Sequence, residues 1–169
     1  KANFPSMAER FDKIISLLEA PEEYLEKSRL GSGVNSRGAE FRPVISADSQ
    51  TLYFTRNRGV DAGGEDIYYS TRQRRTWQNA DNVGPPISTP EHEMILGISA
   101  DSTKMTLMGN YPGSIGRGDI FYAEKGKKCW SEIKHYPAPI NTEHFDSDAM
   151  LPSDGRTILF ISDRPGNVG

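Results

Sequence analysis

The chain repeats itself every 53 residues. Asp48, Asp101 and Asp154 stand at that interval, and so do Trp77 and Trp130, Asp66 and Asp119, and Ile87 and Ile140. A fixed period of this length marks one supersecondary unit copied in tandem, so each unit is expected to find cover for its apolar surface on its neighbours. In register, Ser46-Ala47-Asp48-Ser49 lies over Ser99-Ala100-Asp101-Ser102 and over Pro152-Ser153-Asp154-Gly155. The apolar runs Leu52-Tyr53-Phe54, Met105-Thr106-Leu107 and Ile158-Leu159-Phe160 follow. Gly84-Pro85-Pro86-Ile87-Ser88-Thr89 matches Pro137-Ala138-Pro139-Ile140-Asn141-Thr142, and Leu30 to Ser36 is a partial copy of the stretch that begins at Val83.

Each unit offers four short strand candidates between turn residues, in the first unit Phe41 to Ile45, Thr51 to Arg56, Asp66 to Thr71 and a weaker one from Trp77 to Val83. These runs are apolar on both faces, which suits a sheet sandwiched between two others. The fold expected is all-β: a partial β-propeller of four-stranded antiparallel blades, about three repeats long, preceded by a short helical segment. Blades are expected over 35–86, 87–139 and 140–169, within a propeller part spanning 30–169. Closed propellers carry about four to eight blades. The last unit lacks equivalents of Asp66 and Trp77, so the chain reads as a segment of a longer one or as a piece that closes by association. Asp48, Asp101 and Asp154 are read as turn formers whose side chains accept backbone N–H bonds, with Asp154-Gly155 a hairpin signal.

Residues 1–29 read as a helical lead-in or the end of a helical domain. Met7, Phe11, Ile14, Ile15 and Leu18 share one helical stripe, Ser6 and Glu9 are spaced for a capping box, and Glu22 to Lys27 offers a second short helix. The stripe is expected to pack on the propeller or on helices upstream. Its polar face carries Glu9, Asp12 and Glu19, which disfavours a membrane-surface helix.

Charge is balanced, with 20 basic against 23 acidic residues, so bulk composition does not argue for a nucleic-acid surface. Cys129 is the sole cysteine and is expected to be a small packing residue. No run approaches the ~20 apolar residues that span a bilayer.

The string Ser-Ala-Asp at 46–48 with Leu52-Tyr53-Phe54-Thr55, then Gly64-Glu65-Asp66-Ile67-Tyr68, Trp77 and Gly84-Pro85-Pro86-Ile87-Ser88-Thr89, resembles the TolB-like (WD40-like) propeller repeat. The version it is most similar to occurs in OmpA-family outer-membrane lipoproteins of Bacteroidetes, including a type IX secretion component. The resemblance covers roughly 30–169. It implies an extracytoplasmic, periplasmic or outer-membrane-associated scaffold without enzymatic activity or cofactor, docked to other envelope proteins, with any peptidoglycan contact made by a different domain. Met105 to Tyr111 departs from the family's aromatic strand and Arg-Pro-Gly turn, so an irregular second blade is expected, whereas Asp163-Arg164-Pro165-Gly166 keeps the pattern.

Propeller strand order places the candidate partner-binding residues Arg58, Asp61, Glu65, His92, Glu93, Arg117, His144 and Asp146, with Glu91, Glu143 and Asp148, on one loop face. Arg72, Arg74, Arg75, Lys125, Lys127 and Lys128 fall on the other, where an acidic partner or plain solvation explains them. His92 and His144, flanked by carboxylates, are one position out of register and read as solvated loop residues rather than metal ligands. No Gly-x-Ser-x-Gly elbow is present, so no catalytic residue is assigned. Two other readings stand beside the scaffold: the gating propeller of a prolyl-oligopeptidase-like peptidase, and a carbohydrate-binding propeller with Tyr111 as its exposed aromatic.

Overall fold

The computed structural model describes residues 7–19, 27–59, 64–116, 118–127, 129–152 and 156–166. Between the repeated turns, the aromatic and β-branched runs form antiparallel strands. In the first sheet β1 (Glu40–Ile45), β2 (Thr51–Asn57) and β3 (Glu65–Gln73) lie in order, and β4 (Thr76–Trp77) and β5 (Asp81–Asn82) pair one after the other with β3. The expected fourth strand is thus broken at 78–80. There the Ala80 N–H turns away to the Gly33 carbonyl at 2.8 Å, and Gly33 approaches so closely that a Cβ would meet the Gln78 carbonyl oxygen at 2.9 Å.

The second sheet repeats the order with β6 (Glu93–Ile98), β7 (Lys104–Gly109), β8 (Ile120–Glu124) and β9 (Lys134–His135). Its methionine-rich strand, expected to be irregular, pairs residue for residue with β8 and buries Met105 and Leu107 completely. Unbranched Met fills the same space as the aromatic strand of the first unit. In the third sheet the described residues form β10 (Asp146–Met150) and β11 (Leu159–Ser162).

The first turns of the first two units are built as read. Ser46 Oγ donates to Asp48 at 2.6 Å while Asp48 accepts the Gln50 N–H at 2.9 Å, and Ser99 and Thr103 repeat this around Asp101 at 2.6 and 3.1 Å. Hydrogen bonds from Ser99 and Thr103 pull the Asp101 carboxyl down to about 2. Asp154 and Gly155 lie outside the described residues. Each first strand also carries a bulge at the same repeat position, between Phe41 and Val44, Ile95 and Gly97, and Ser147 and Met150. Bulges tighten local twist, and here they recur one per sheet.

Packing follows the repeat. Tyr53, Ile67 and Ile87 meet Ile95, Leu107, Tyr111 and Phe121 between the first two sheets, while Val34 from the partial copy covers Leu52 and Phe54 on the opposite face of the first. Trp130 reaches back to Tyr53, ring centroids 6.4 Å apart, and Trp77 packs beside Phe54 and Ala80. Among the described residues, α1 (Met7–Glu19) rests on no strand: Met7, Phe11, Ile14 and Ile15 are all exposed, so of the two expected settings for the stripe the described sheets do not supply one. The second helix lies mostly at residues outside those described, as does Ser6 of the capping box. Among the described residues no helix is long and apolar enough to cross a membrane.

Ile87 is fully buried between two sheets, whereas Ile161 on β11 is 61% exposed. Ile87→Ala is expected to cost about 2–5 kcal/mol in urea unfolding, and Ile161→Ala to stay within about 0.5 kcal/mol of the parent.

Candidate functional site

Crossovers that leave one sheet and enter the next gather at one end of the molecule, beside the loops joining second to third strands. Every crossover is closed by the same device. Ser36, Thr89 and Thr142 each offer a backbone N–H and a hydroxyl to an acid four residues on, Glu40, Glu93 and Asp146, which opens the next inner strand. The N–H distances are 3.0, 3.2 and 2.7 Å.

A second device joins each sheet to the crossover before it. The buried Val34 carbonyl accepts Arg56 Nη2 at 2.8 Å, the Ile87 carbonyl accepts the Tyr111 hydroxyl at 2.7 Å, and the Ile140 carbonyl accepts Arg164 Nη2 at 2.7 Å. Val34, Ile87 and Ile140 are 53 apart, but their donors differ in type. Arg56 and Arg164 also reach the acids Glu40 (3.0 Å) and Asp146 (2.6 Å), whereas Tyr111 brings no cation to Glu93, on which the Arg58 charge acts from nearby. Gly109 makes the exchange possible, since a Cβ there would strike the Tyr111 ring at 2.8 Å.

Beneath these, the repeated Asp66 and Asp119 are buried and serve structure. Asp66 accepts Asn82 Nδ2 at 2.6 Å and Ser88 Oγ at 2.7 Å, and Arg58 Nη1 lies 3.5 Å from it. Asp119 accepts the Ile115 and Gly116 N–H groups at 2.7 and 3.0 Å and faces His135 Nε2 at 2.8 Å, the residue one repeat on from Asn82.

The candidate partner-binding residues therefore divide. Glu93 and Asp146, expected on an open loop face, are fully buried, because they tie crossovers to inner strands. Arg58 is committed to Asp66 and, at 3.4 Å, to the Thr89 carbonyl. Glu65 and His92 are brought together, Glu65 Oε2 against His92 Nδ1, with Asn57 Nδ2 donating to Glu65 at 3.1 Å. They line a shallow depression of about 270 Å³ with Gly59, Pro90 and Glu91. His144 is partly exposed, 4.0 Å from Asp163. Asp61 and Arg117 lie outside the described residues. Among the described residues no group of three His, Cys, Asp or Glu side chains is placed to hold a metal ion.

Two corrections follow. Tyr111, expected to be an exposed aromatic for sugars, is 5% exposed and spends its hydroxyl on Ile87; burial pushes the phenol far above its usual range. Cys129, expected to pack inside, is exposed at the lip of a cleft of about 320 Å³ with Trp130, Tyr69, Lys125 and Lys127. On that opposite face Arg72, Arg74 and Arg75 are exposed, Arg72 over the Trp77 ring, and Lys128 is outside the described residues.

One contact spans two repeats. Arg42 and Asp148 occupy the same bulge position two repeats apart and form an ion pair that holds the Asp148 carboxyl below its ordinary range.

Antiparallel sheets in tandem, bulged alike and packed face to face, define a general TolB-like, β-propeller-like fold. Among solved structures the chain is similar to TolB from Acinetobacter baumannii, with a TM-score of 0.53 and 18% identity over 78% of this chain. The match spans 28% of that protein's length. No family model and no curated protein matches the chain.

The acids of the first device titrate in opposite directions. Burial raises the Glu93 carboxyl, and the nearby Asp66 charge adds to this against the opposing Thr89 bonds and Arg58 charge. Burial also acts on Asp146, but hydrogen bonds from Ser162, Arg164 and Thr142 outweigh it and lower that carboxyl. An acid raised in the folded state weakens stability as pH rises above its unfolded value; one lowered adds stability above its unfolded value and loses it as pH falls through the folded one. Glu93→Gln is thus expected to raise the urea midpoint at pH 7, the gain vanishing below the ordinary glutamate range. Asp146→Asn is expected to cost about 1.5–3 kcal/mol at pH 7, the loss shrinking as pH falls through the carboxylate range.

Proposed function

We propose that the chain is a propeller segment that acts as a non-enzymatic protein-binding scaffold in a bacterial cell-envelope assembly, outside the cytoplasm, with partner proteins docking on its crossover face. The observation that carries this reading is the Arg42–Asp148 ion pair. Two residues 106 positions apart, at one repeat position, touch each other, and β6 packs between β1 and β10. Inner strands set around a common axis bring such residues together, as in a propeller.

A binding role is favoured over chemistry because the buried carboxylates of this face are consumed. Glu40, Glu93 and Asp146 fasten crossovers, and Asp66 and Asp119 fasten third strands. What remains open to a partner is the rim: Glu91 and His92 in one crossover with Glu65 at the start of β3 beside them, and Glu143 and His144 in the next crossover. Rigid loop faces on an array are a common place for docking. The envelope setting rests on the TolB-like repeat resemblance, which also assigns any peptidoglycan contact to a separate OmpA-like domain.

A photo-crosslinking amino acid placed at exposed Glu91 or Glu143, in cells that make the protein, is expected to capture discrete partner proteins identified by mass. The same probe at Arg74 or Lys127 on the opposite face is expected to capture none. Capture confined to Arg74 and Lys127, or from no position, would overturn docking on the crossover face.

A further inference from the structure

We infer that the cleft between the first and second sheets, on the face opposite the crossovers, binds a small aromatic anion. Its planar ring is held among Tyr53, Tyr69 and Trp130, and its acidic group is met by the Tyr53 hydroxyl and the Lys125 ammonium. The site is separate from the crossover face and stands independently of docking there. A small molecule as occupant also agrees with the expectation that no protein is captured at Lys127.

Strand register builds the floor. Across β2 and β3, Thr51 lies opposite Thr71 and Tyr53 opposite Tyr69. Residues two apart on a strand share a face, so these four side chains form one patch turned toward the second sheet. Trp130, from the hairpin that follows β8, closes the far side edge-on to Tyr53 at 6.4 Å, and Tyr69 tilts against Tyr53 at 6.2 Å. Val83 adds an apolar wall to a space of about 320 Å³. That is the lower end of the range for ligand pockets, about 300–1,000 Å³, and suits one or two rings.

The polar groups of this patch are not spent on the protein. Tyr53 is only 5% exposed, yet its hydroxyl is bonded by no described residue and is not sealed in, so it opens on the cleft. The Tyr69 hydroxyl likewise has no described partner. A hydroxyl in such a place takes its partner from whatever fills the cleft. Burial, with the Tyr69 and Asp48 interactions added, raises the Tyr53 phenol and keeps it a donor. One repeat on, the same place is closed from within. Lys104 and Glu124, the equivalents of Thr51 and Thr71, lie 4.0 Å apart, Lys134 joins Glu124, and Lys104 sits over the Tyr122 ring at 4.8 Å. In the first sheet rings and hydroxyls stand without such closure.

The lip sets the sign of the ligand. Lys125 and Lys127 are exposed there, and neither makes an ion pair with a described residue. The carboxylate that senses this end, Asp48, is already held by Ser46 and Gln50, with the Lys125 charge acting behind them. Exposed Arg74 and Arg75, on the hairpin after β3, extend the positive potential of the face. An aromatic cation is repelled by these charges, and an aliphatic acid leaves the rings uncovered.

The test uses the whole chain and equilibrium dialysis of naphthalene carboxylate against its neutral isostere, naphthalene carboxamide. The carboxylate is expected to bind saturably at one site, and the carboxamide about tenfold or more weakly. Tyr53→Phe keeps the ring and removes the hydroxyl, while Lys125→Gln removes an exposed cation that the fold does not use. Each is expected to weaken carboxylate binding by about threefold to tenfold, and Lys125→Gln to leave the carboxamide unchanged. Cys129, the sole thiol, stands exposed at the lip, so its alkylation by iodoacetamide reports occupancy and is expected to slow severalfold at saturating carboxylate. Absence of saturable carboxylate binding, or equal affinity for the carboxamide, overturns the proposal. So does binding that leaves Cys129 alkylation unchanged, or that Lys125→Gln does not weaken.

Discussion

A crossover between sheets cannot satisfy its own backbone, and this chain solves that problem the same way each time. Leaving a buried donor or acceptor without a partner costs about 1–3 kcal/mol. The Ser or Thr that ends each crossover gives both its N–H and its hydroxyl to the acid opening the next strand, and the carbonyl of Val34, Ile87 or Ile140 is taken by a donor from the following sheet. Apolar packing decides that sheets lie face to face. These bonds decide how far each is shifted against the last, and so make the units superimposable.

The donor may change as long as its reach does not. Arg56 and Arg164 satisfy a carbonyl and a carboxylate together, whereas Tyr111 satisfies the carbonyl alone and brings no charge to the buried Glu93. A phenol is less costly to bury than a guanidinium, and it adds an edge-on contact with Phe121 at 5.0 Å. The second unit thus exchanges a charge pair for aromatic packing, and the opposite titration of Glu93 and Asp146 is the consequence.

Much of the array was legible in the sequence because its period is local. The first three strands of each of the first two units and the Asp48 and Asp101 turns depend on residues within one unit and appear where expected, while the fourth strand, expected from Trp77 to Val83, is broken because Ala80 turns to Gly33. The loop face was less legible. Glu93 and Asp146 look like solvated charges until the crossover folds back over them, and the signal that marks them, a hydroxyl residue four positions before an acid in three copies, was present at 36–40, 89–93 and 142–146. The clasp donors were hidden for a different reason: Arg56 sits two positions before the slot that Tyr111 and Arg164 share, so register does not reveal them. Arg42 with Asp148 was beyond reach, since a contact two repeats long depends on the arrangement of sheets rather than on any unit. The amphipathic stripe of α1 was read correctly as a helix, but period alone says which residues share a face and never what that face meets.

A fold held by such devices tolerates extensive change of sequence. The requirements are a hydroxyl and an acid four apart, a donor able to reach one carbonyl, an apolar residue at the crossover and a turn that accepts N–H groups. Each admits several residues, as Ser and Thr, Glu and Asp, Arg and Tyr already show within this one chain. Units that share so few identical positions still repeat the bulge of the first strand in all three described sheets, and the order of strands in the first two. By the same physics, distant sequences can satisfy this arrangement, while the exposed rim residues outside the clasps, Glu91 and Glu143 among them, are left unconstrained by it. On the docking reading proposed above, those are the positions at which partners would be chosen without altering the scaffold.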